Sequence, residues 1–282
     1  MNFKLNTLNF KLKYFIVIGL LAYIYYPTFV WMIDRWTVRD SYYAHGFLIP
    51  LITLYWIFQK RRSLATSQIQ SDSFGFIILI AGALLQLGSA ILRIYFLSAL
   101  SFVIVLFGYL WFLMGRKIMK EIWYPVLFLA LMVPLPLLTI SQVTLKMKFF
   151  VAQIATYCLN YIGIPATREG SYIYTKNAML LVGDPCSGLR SFLAFLCLGL
   201  VFAYGSRMAF WKRLLLVAAG LPLAVLSNVL RVFSLSFLSE VYGMGVVTKQ
   251  VHDASGFIVF ILAFVCFIIL RKYLEESGAA HE

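Results

Sequence analysis

The sequence predicts an all-α polytopic membrane protein of about eight transmembrane helices, with an interfacial helix and a small extracytoplasmic β-hairpin. Three observations predict it. The 282 residues are 62% hydrophobic and only 12% charged, with a mean hydropathy of +0.88, a balance that no water-soluble core of this length needs. Apolar runs of about 17 to 25 residues, each able to cross a hydrocarbon core of roughly 30 Å, recur along the chain and leave no stretch for a separate soluble domain. The Lys and Arg residues behind the net charge of +13 sit in short clusters between those runs and accompany no nucleic-acid motif, so they read as topology determinants and nucleic acid is excluded as a partner. The expectation is one membrane domain, residues 1–282.

Lys4, Lys11 and Lys13 precede a first apolar run at 14–33, which is long and lacks a small-residue cleavage site, so it is expected to stay as a signal anchor. Further spans are predicted at 46–59, 74–92, 94–114, 122–140, 187–204, 214–238 and 254–270. At 141–163, Lys146 and Lys148 interrupt the apolar pattern, which favours an amphipathic helix in the interface over a ninth span. Between Arg168 and Val182, Ser-Tyr-Ile-Tyr-Thr, Lys176-Asn177 and Met-Leu-Leu-Val read as two short strands around a turn, a hairpin over the outer surface. With the N-terminus inside, one side collects the three N-terminal lysines, Lys60, Arg61, Arg62, Arg116, Lys117, Lys120, Arg207, Lys212, Arg213, Arg271 and Lys272, the majority of the 24 basic residues. The positive-inside rule makes that side cytoplasmic, with both termini there and 34–45, 141–186 and 239–253 outside.

Of the four cysteines, Cys158, Cys197 and Cys266 lie in apolar stretches, and only Cys186 sits in a polar, punctuated segment, Gly-Asp-Pro-Cys-Ser-Gly-Leu-Arg-Ser at 183–191. A disulfide framework is not expected. Asp184 reads as a helix N-cap and Pro185 as the first helical residue, which puts Cys186 in the first turn. Free backbone N–H groups and the helix dipole would favour a thiolate there and could face a developing oxyanion, with Arg190 on the same helix face. The plain alternative is a buried cysteine that fills space.

Arg231, in Ser-Asn-Val-Leu-Arg-Val-Phe, falls about seven residues inside its span, roughly 10 Å below the interface. A charge at that depth must face protein or water, and Ser227, Asn228 and Ser234 share its helix face, so the stripe should line a cavity; snorkelling to the headgroups is the alternative. His252 stands at the outer entrance to the last span, with Asp253 or Ser255 available as caps. A neutral imidazole can take a proton from a thiol and return one to a leaving amine. Cys186, Arg231 and His252 thus fall on one side under a topology derived without them. His45, near Asp40 at the start of the second span, reaches the same side and either binds a substrate carbonyl, positions a loop or is a plain interfacial residue.

These motifs resemble the exosortase and archaeosortase group of membrane-embedded cysteine transpeptidases. Pro-Cys-Ser-Gly-Leu-Arg-Ser at 185–191, Asn-Val-Leu-Arg-Val at 228–232 and His-Asp-Ala-Ser-Gly-Phe at 252–257 are similar to the family's cysteine, arginine and histidine motifs, in its order. His45-Gly46 with Phe-Leu-Ile-Pro resembles an N-terminal family motif, and the histidine at the third position is similar to the bacterial branch. The resemblance implies a thiol peptidase or transpeptidase of the bacterial inner membrane, with Cys186, Arg231 and His252 catalytic, and Arg190, Asn228, His45 and Asp253 supporting or binding substrate. Its implied partners are secreted proteins with a C-terminal tail of a Pro-Glu-Pro-type motif, an apolar helix and a basic end, together with membrane lipid and a glycan or lipid acceptor.

Two other classes compete with this reading. A non-enzymatic transporter or assembly subunit for exported polysaccharide or lipid would use Arg231 and Arg190 to hold an anionic group and needs no thiol. A haem protein would use His45 and His252 as axial ligands. The sequence carries no phosphate-binding loop, zinc-spaced Cys/His cluster or HExxH helix, so no metal or other cofactor is expected.

Overall fold

The computed structural model describes the backbone of residues 2–279; the side chains of Lys4, Lys11 and Lys13, which carry part of the charge argument, lie outside the described residues. The chain divides into two compact units, Met1–Leu135 and Pro136–Glu282.

The first unit is helical. It contains α1 (Asn2–Thr37), a 3-10 turn at Ala44–Phe47, α2 (Leu48–Gln59), α3 (Arg61–Thr66), α4 (Ser73–Leu92), α5 (Tyr95–Phe128) and a closing 3-10 turn at Leu129–Met132. Asp72 caps α4 by accepting from the Phe74 amide at 3.0 Å, and its second oxygen accepts from the Trp111 indole at 3.0 Å. α4 and α5 pack backbone to backbone through glycine. A Cβ on Gly75 would run into the backbone of Phe112, one on Gly108 into that of Leu79, and one on Gly82 would sit 2.8 Å from a Val105 methyl. Small residues at a helix crossing are how membrane helices gain dispersion contact when no hydrophobic effect separates them from lipid. The outer faces match: Ile77, Leu84, Leu87 and Ile91 are all exposed on α4, which suits lipid and would be an aggregation surface in water.

The segment expected as a loop between the predicted spans 94–114 and 122–140 is a single kink. Helical geometry continues through α5 except at Gly115, with φ +78° and ψ 178°, where an added Cβ would strike the Gln70 carbonyl oxygen. The predicted span 122–140 is not one helix. Helical structure stops at Met132, and the next helix starts at Leu137. Pro134 and Pro136 lie between; each lacks an N–H and pushes the residue before it to extended geometry, and Val133 is extended at φ −78°, ψ 116°.

The second unit opens with α6 (Leu137–Tyr161) and an antiparallel sheet in the order β1 (Ala166–Glu169), β2 (Tyr172–Thr175), β3 (Met179–Leu181). The two strands read from the sequence are β2 and β3, in register Tyr172 to Leu181 and Tyr174 to Met179. β1 was missed because Ala-Thr-Arg-Glu carries no apolar alternation; its pairing to β2 makes it a strand. A 3-10 turn at Asp184–Cys186 leads to α7 (Leu189–Gly205), α8 (Phe210–Tyr242), a 3-10 turn at Met244–Val246 and α9 (Lys249–Ala279). The turn of the sheet is tied to α8: the Asn177 amide donates to Glu240 Oε2 at 2.9 Å and its side chain to Glu240 Oε1 at 3.0 Å.

Among the described residues, four helices are long and apolar enough to cross a membrane: Ser73–Leu92, Tyr95–Met132, Phe210–Tyr242 and Gln250–Glu276. Two shorter apolar helices, Ala44–Gln59 and Leu189–Gly205, accompany them. α6, which carries Lys146 and Lys148, is outside both groups.

Candidate active site

The second unit brings Cys186, Arg231 and His252 together. Cys186 Sγ lies 2.9 Å from His252 Nε2. Arg231 Nη2 lies 3.1 Å from His252 Nδ1 and 3.3 Å from Nε2, against the imidazole, and donates to the His252 carbonyl oxygen at 2.8 Å. Asp253 Oδ1 stands 3.3 Å from His252 Nδ1. With the ring proton on Nδ1, directed at Asp253, Nε2 has a free lone pair facing the thiol.

The local setting of Cys186 differs from the sequence expectation. α7 does not begin at the cysteine: residues 184–186 form their own 3-10 turn, and Gly188, at φ +82°, is the residue before the first α-helical turn at Leu189. Asp184 caps nothing; its carboxylate pairs with Lys148 from α6. The Cys186 and Ser187 amides are engaged by the carbonyl oxygens of Gly183 and Asp184 at 3.0 and 3.1 Å. These two N–H groups therefore do not form the oxyanion site that an α-helical start would have offered, and a helix dipole does not act on the thiol at first-turn range.

Burial governs the thiol instead. Cys186 is 4% exposed and packs in an apolar cluster with Val151 and Ala155 of α6, Ile173 and Val182 around the sheet, and Val229 and Val232 of α8. That burial pushes the thiol pKa up, opposed by the charges of Arg231 and Lys148. Burial thus favours the neutral thiol, and the His252 imidazole lies directly against it.

α8 holds both sides of this arrangement. Asn228 is buried and donates its amide to the Cys186 carbonyl oxygen, while Arg231, three residues on, reaches α9. Two glycines make the approaches possible. A Cβ on Gly188 would lie 3.2 Å from Asn228 Cβ, and one on Gly256 would lie 2.7 Å from the guanidinium carbon of Arg231. Gly256 stands one helical turn after His252, so the guanidinium lies flat against bare α9 backbone. α9 starts earlier than expected, at Lys249, which puts His252 inside its first turn, with Asp253 and Ser255 as helical residues and not caps. Ser255 Oγ donates to the His252 carbonyl at 2.8 Å, and Thr248 Oγ1 accepts from the Val251 amide at 3.4 Å.

The model for the transmembrane exosortase family matches residues 36–269. The chain belongs to that family. No curated protein and no solved structure gives a match. The matched stretch takes in His45, Cys186, Arg231 and His252 of this exosortase. Of the stripe expected on α8, Ser227 and Asn228 are buried, whereas Ser234 is exposed. Arg190 lies in the first turn of α7 with an exposed side chain. His45 belongs to the first unit, in the Ala44–Phe47 turn, with its ring 5.8 Å from that of Tyr43. The glycine after it is explained there: a Cβ on Gly46 would overlap the Trp36 indole, whose Nε1 donates to the Met132 carbonyl at 2.9 Å. Lys148 was overlooked as a member of the site, because in sequence it marks only a break in an apolar pattern. A cation within a helix that is apolar over most of its length was the available signal.

Proposed function

We propose that this exosortase is a cysteine peptidase or transpeptidase that cleaves C-terminal sorting tails of secreted proteins at the outer face of the bacterial cytoplasmic membrane. One observation carries the reading: a buried thiol 2.9 Å from an imidazole nitrogen, with a guanidinium on the same ring. A transporter or assembly subunit has no use for that pairing.

In the proposed reaction His252 Nε2 takes the Sγ proton as Cys186 attacks the scissile carbonyl carbon. The carbonyl electron pair moves onto oxygen, and the Arg231 guanidinium is the nearest fixed positive charge to meet it. The imidazolium, oriented through Nδ1 by Asp253, then returns the proton to the leaving amide nitrogen. The C–N bond breaks and a thioester remains on Cys186. Water, or an amine or hydroxyl of a surface glycan or lipid, attacks that thioester and gives its proton to His252; the C–S bond breaks, and the departing Cys186 sulfur takes that proton back from the imidazolium. Arg190 and His45 are assigned to substrate binding, and Asn228 to holding the Cys186 backbone.

The corresponding topology puts both termini, Lys60, Arg61, Arg62 and the Arg116, Lys117 and Lys120 cluster in the cytoplasm. The sheet and Cys186 then face outward, with α6 in the interface, and the spans number about eight. Coexpression with a tail-bearing secreted protein tests the activity. Cys186→Ala should insert normally and leave the substrate at full length, whereas continued processing by that variant would refute the thiol mechanism.

A further inference from the structure

The first unit contains a second polar site, separate from the thiol. A cavity of about 320 Å³ opens among α1, α4 and α5, lined by Thr28, Gln86, Ser89, Arg93 and Tyr95 among others. Behind it runs a network that crosses all three helices. Gln86 Oε1 accepts from Ser98 at 2.7 Å, Ser101 at 2.9 Å and Ser89 at 3.3 Å. Ser98 Oγ pairs with Thr28 Oγ1 at 2.6 Å, and Tyr25 with Ser101 Oγ at 3.0 Å.

Ser, Thr and Gln side chains commonly hydrogen-bond across membrane helices, each bond worth about 0.6–2 kcal/mol. Here six polar side chains converge and open space remains beside them. The Gln86 carboxamide oxygen faces these hydroxyls, of which Ser89 and Ser101 also reach the backbone carbonyl oxygens of Gln86 at 2.8 Å and Ser98 at 2.7 Å, and Gln86 itself lines the cavity, where its amide N–H groups can donate. Arg93, exposed at the rim, supplies the one cationic side chain of the lining. Donors plus a guanidinium describe a site for an anion with several oxygens, and the planar fork fits a phosphate. The walls formed by Ile24, Pro27, Ala90 and Ile94 are apolar. Tyr95, at the mouth, stacks on Trp31 with ring centroids 5.9 Å apart, an aromatic pair of the kind that marks headgroup depth.

We propose that this cavity binds the phosphate headgroup of a membrane lipid, with Arg93 and the Gln86 amide on the phosphate oxygens and the apolar walls against the glycerol and first acyl carbons. The test is native mass spectrometry of the full-length protein in detergent, titrated with phosphatidylglycerol, with diacylglycerol of the same chains and with inorganic phosphate. Arg93→Gly suits the left-handed backbone at that residue (φ +55°), so it removes the guanidinium without straining the end of α4. Gln86→Glu keeps an oxygen for the neighbouring hydroxyls and places negative charge toward the phosphate. Each variant should weaken phosphatidylglycerol binding by about tenfold or more, the worth of one charge-assisted hydrogen bond, while Arg116→Ala, on a different cavity, leaves it unchanged. The proposal is overturned if diacylglycerol binds as tightly, if millimolar inorganic phosphate displaces the lipid, or if both variants retain it at parental affinity.

Discussion

Arg231 touches His252 twice, on the ring at 3.1 Å from Nδ1 and on the backbone at 2.8 Å from the carbonyl oxygen. One guanidinium thereby fixes both the imidazole and the first turn of α9. Both contacts come from one nitrogen, Nη2, and Lys would offer there a compact, strongly hydrated ammonium without the planar, weakly hydrated group that rests on the ring. Arg231→Lys should reduce processing of a tail-bearing substrate by at least about tenfold, and Arg231→Ala by about 10²–10³, the usual loss when a stabiliser of developing charge is removed. Pulse-chase of the substrate in cells gives both rates; parental rates in Arg231→Ala would remove the residue from the mechanism.

The acidity of Cys186 can be read by alkylation. Burial raises the thiol, and Arg231 and Lys148 pull it down. Deleting either cation removes stabilisation from the thiolate, so the pKa should climb further and the alkylation rate at fixed pH should fall. Iodoacetamide labelling of protein whose other three cysteines are replaced should show the profile moving to higher pH in Lys148→Met and Arg231→Met. A profile that stays put or moves to lower pH would contradict the electrostatic account.

Gly256 predicts a defect that is specific to chemistry. Its Cβ would overlap the Arg231 guanidinium at 2.7 Å, so Gly256→Ala should displace that group and depress processing with little change in membrane yield. Gly88, which has nothing within 4 Å of its Cβ position, supplies the comparison: Gly88→Ala should process normally. Equal activity of the two variants would mean that the guanidinium has no fixed seat on α9.

Gly82 and Gly108 test the helix packing of the first unit. Gly82→Val places branched bulk 2.8 Å from a Val105 methyl, and Gly108→Val forces α4 and α5 apart at Leu79. Overpacking of this kind costs about 1–3 kcal/mol. Thermal melting of purified protein should show a lower Tm for both variants and no change for Gly88→Ala.

Cys186, Arg231 and His252 were legible as candidates because each is chemically out of place: a cysteine amid polar punctuation, an arginine deep in an apolar run, a histidine at the mouth of another. What was not legible is how the backbone delivers them. The Asp184, Pro185 and Cys186 run has the composition of a helix start, but the left-handed Gly188 interposes a separate turn. That outcome is decided by the approach of Asn228, from a distant helix, to a residue without a Cβ. Lys148 looked like a topological mark because its partner Asp184 had been assigned to capping. The predicted span 122–140 failed for a local reason, since two prolines outweigh an apolar composition within one turn.

Asn228 and Arg231 stand three residues apart on α8 and grip opposite halves of the same pair, the backbone of Cys186 and the ring of His252. The separation between sulfur and imidazole is thus measured by a fraction of one helical turn. Inserting a single residue between 228 and 231 would swing one grip about 100° away from the other, even with every reactive side chain still present. α8 is therefore the gauge of the site, and the spacing of its two polar residues is as much a part of the chemistry as their identity.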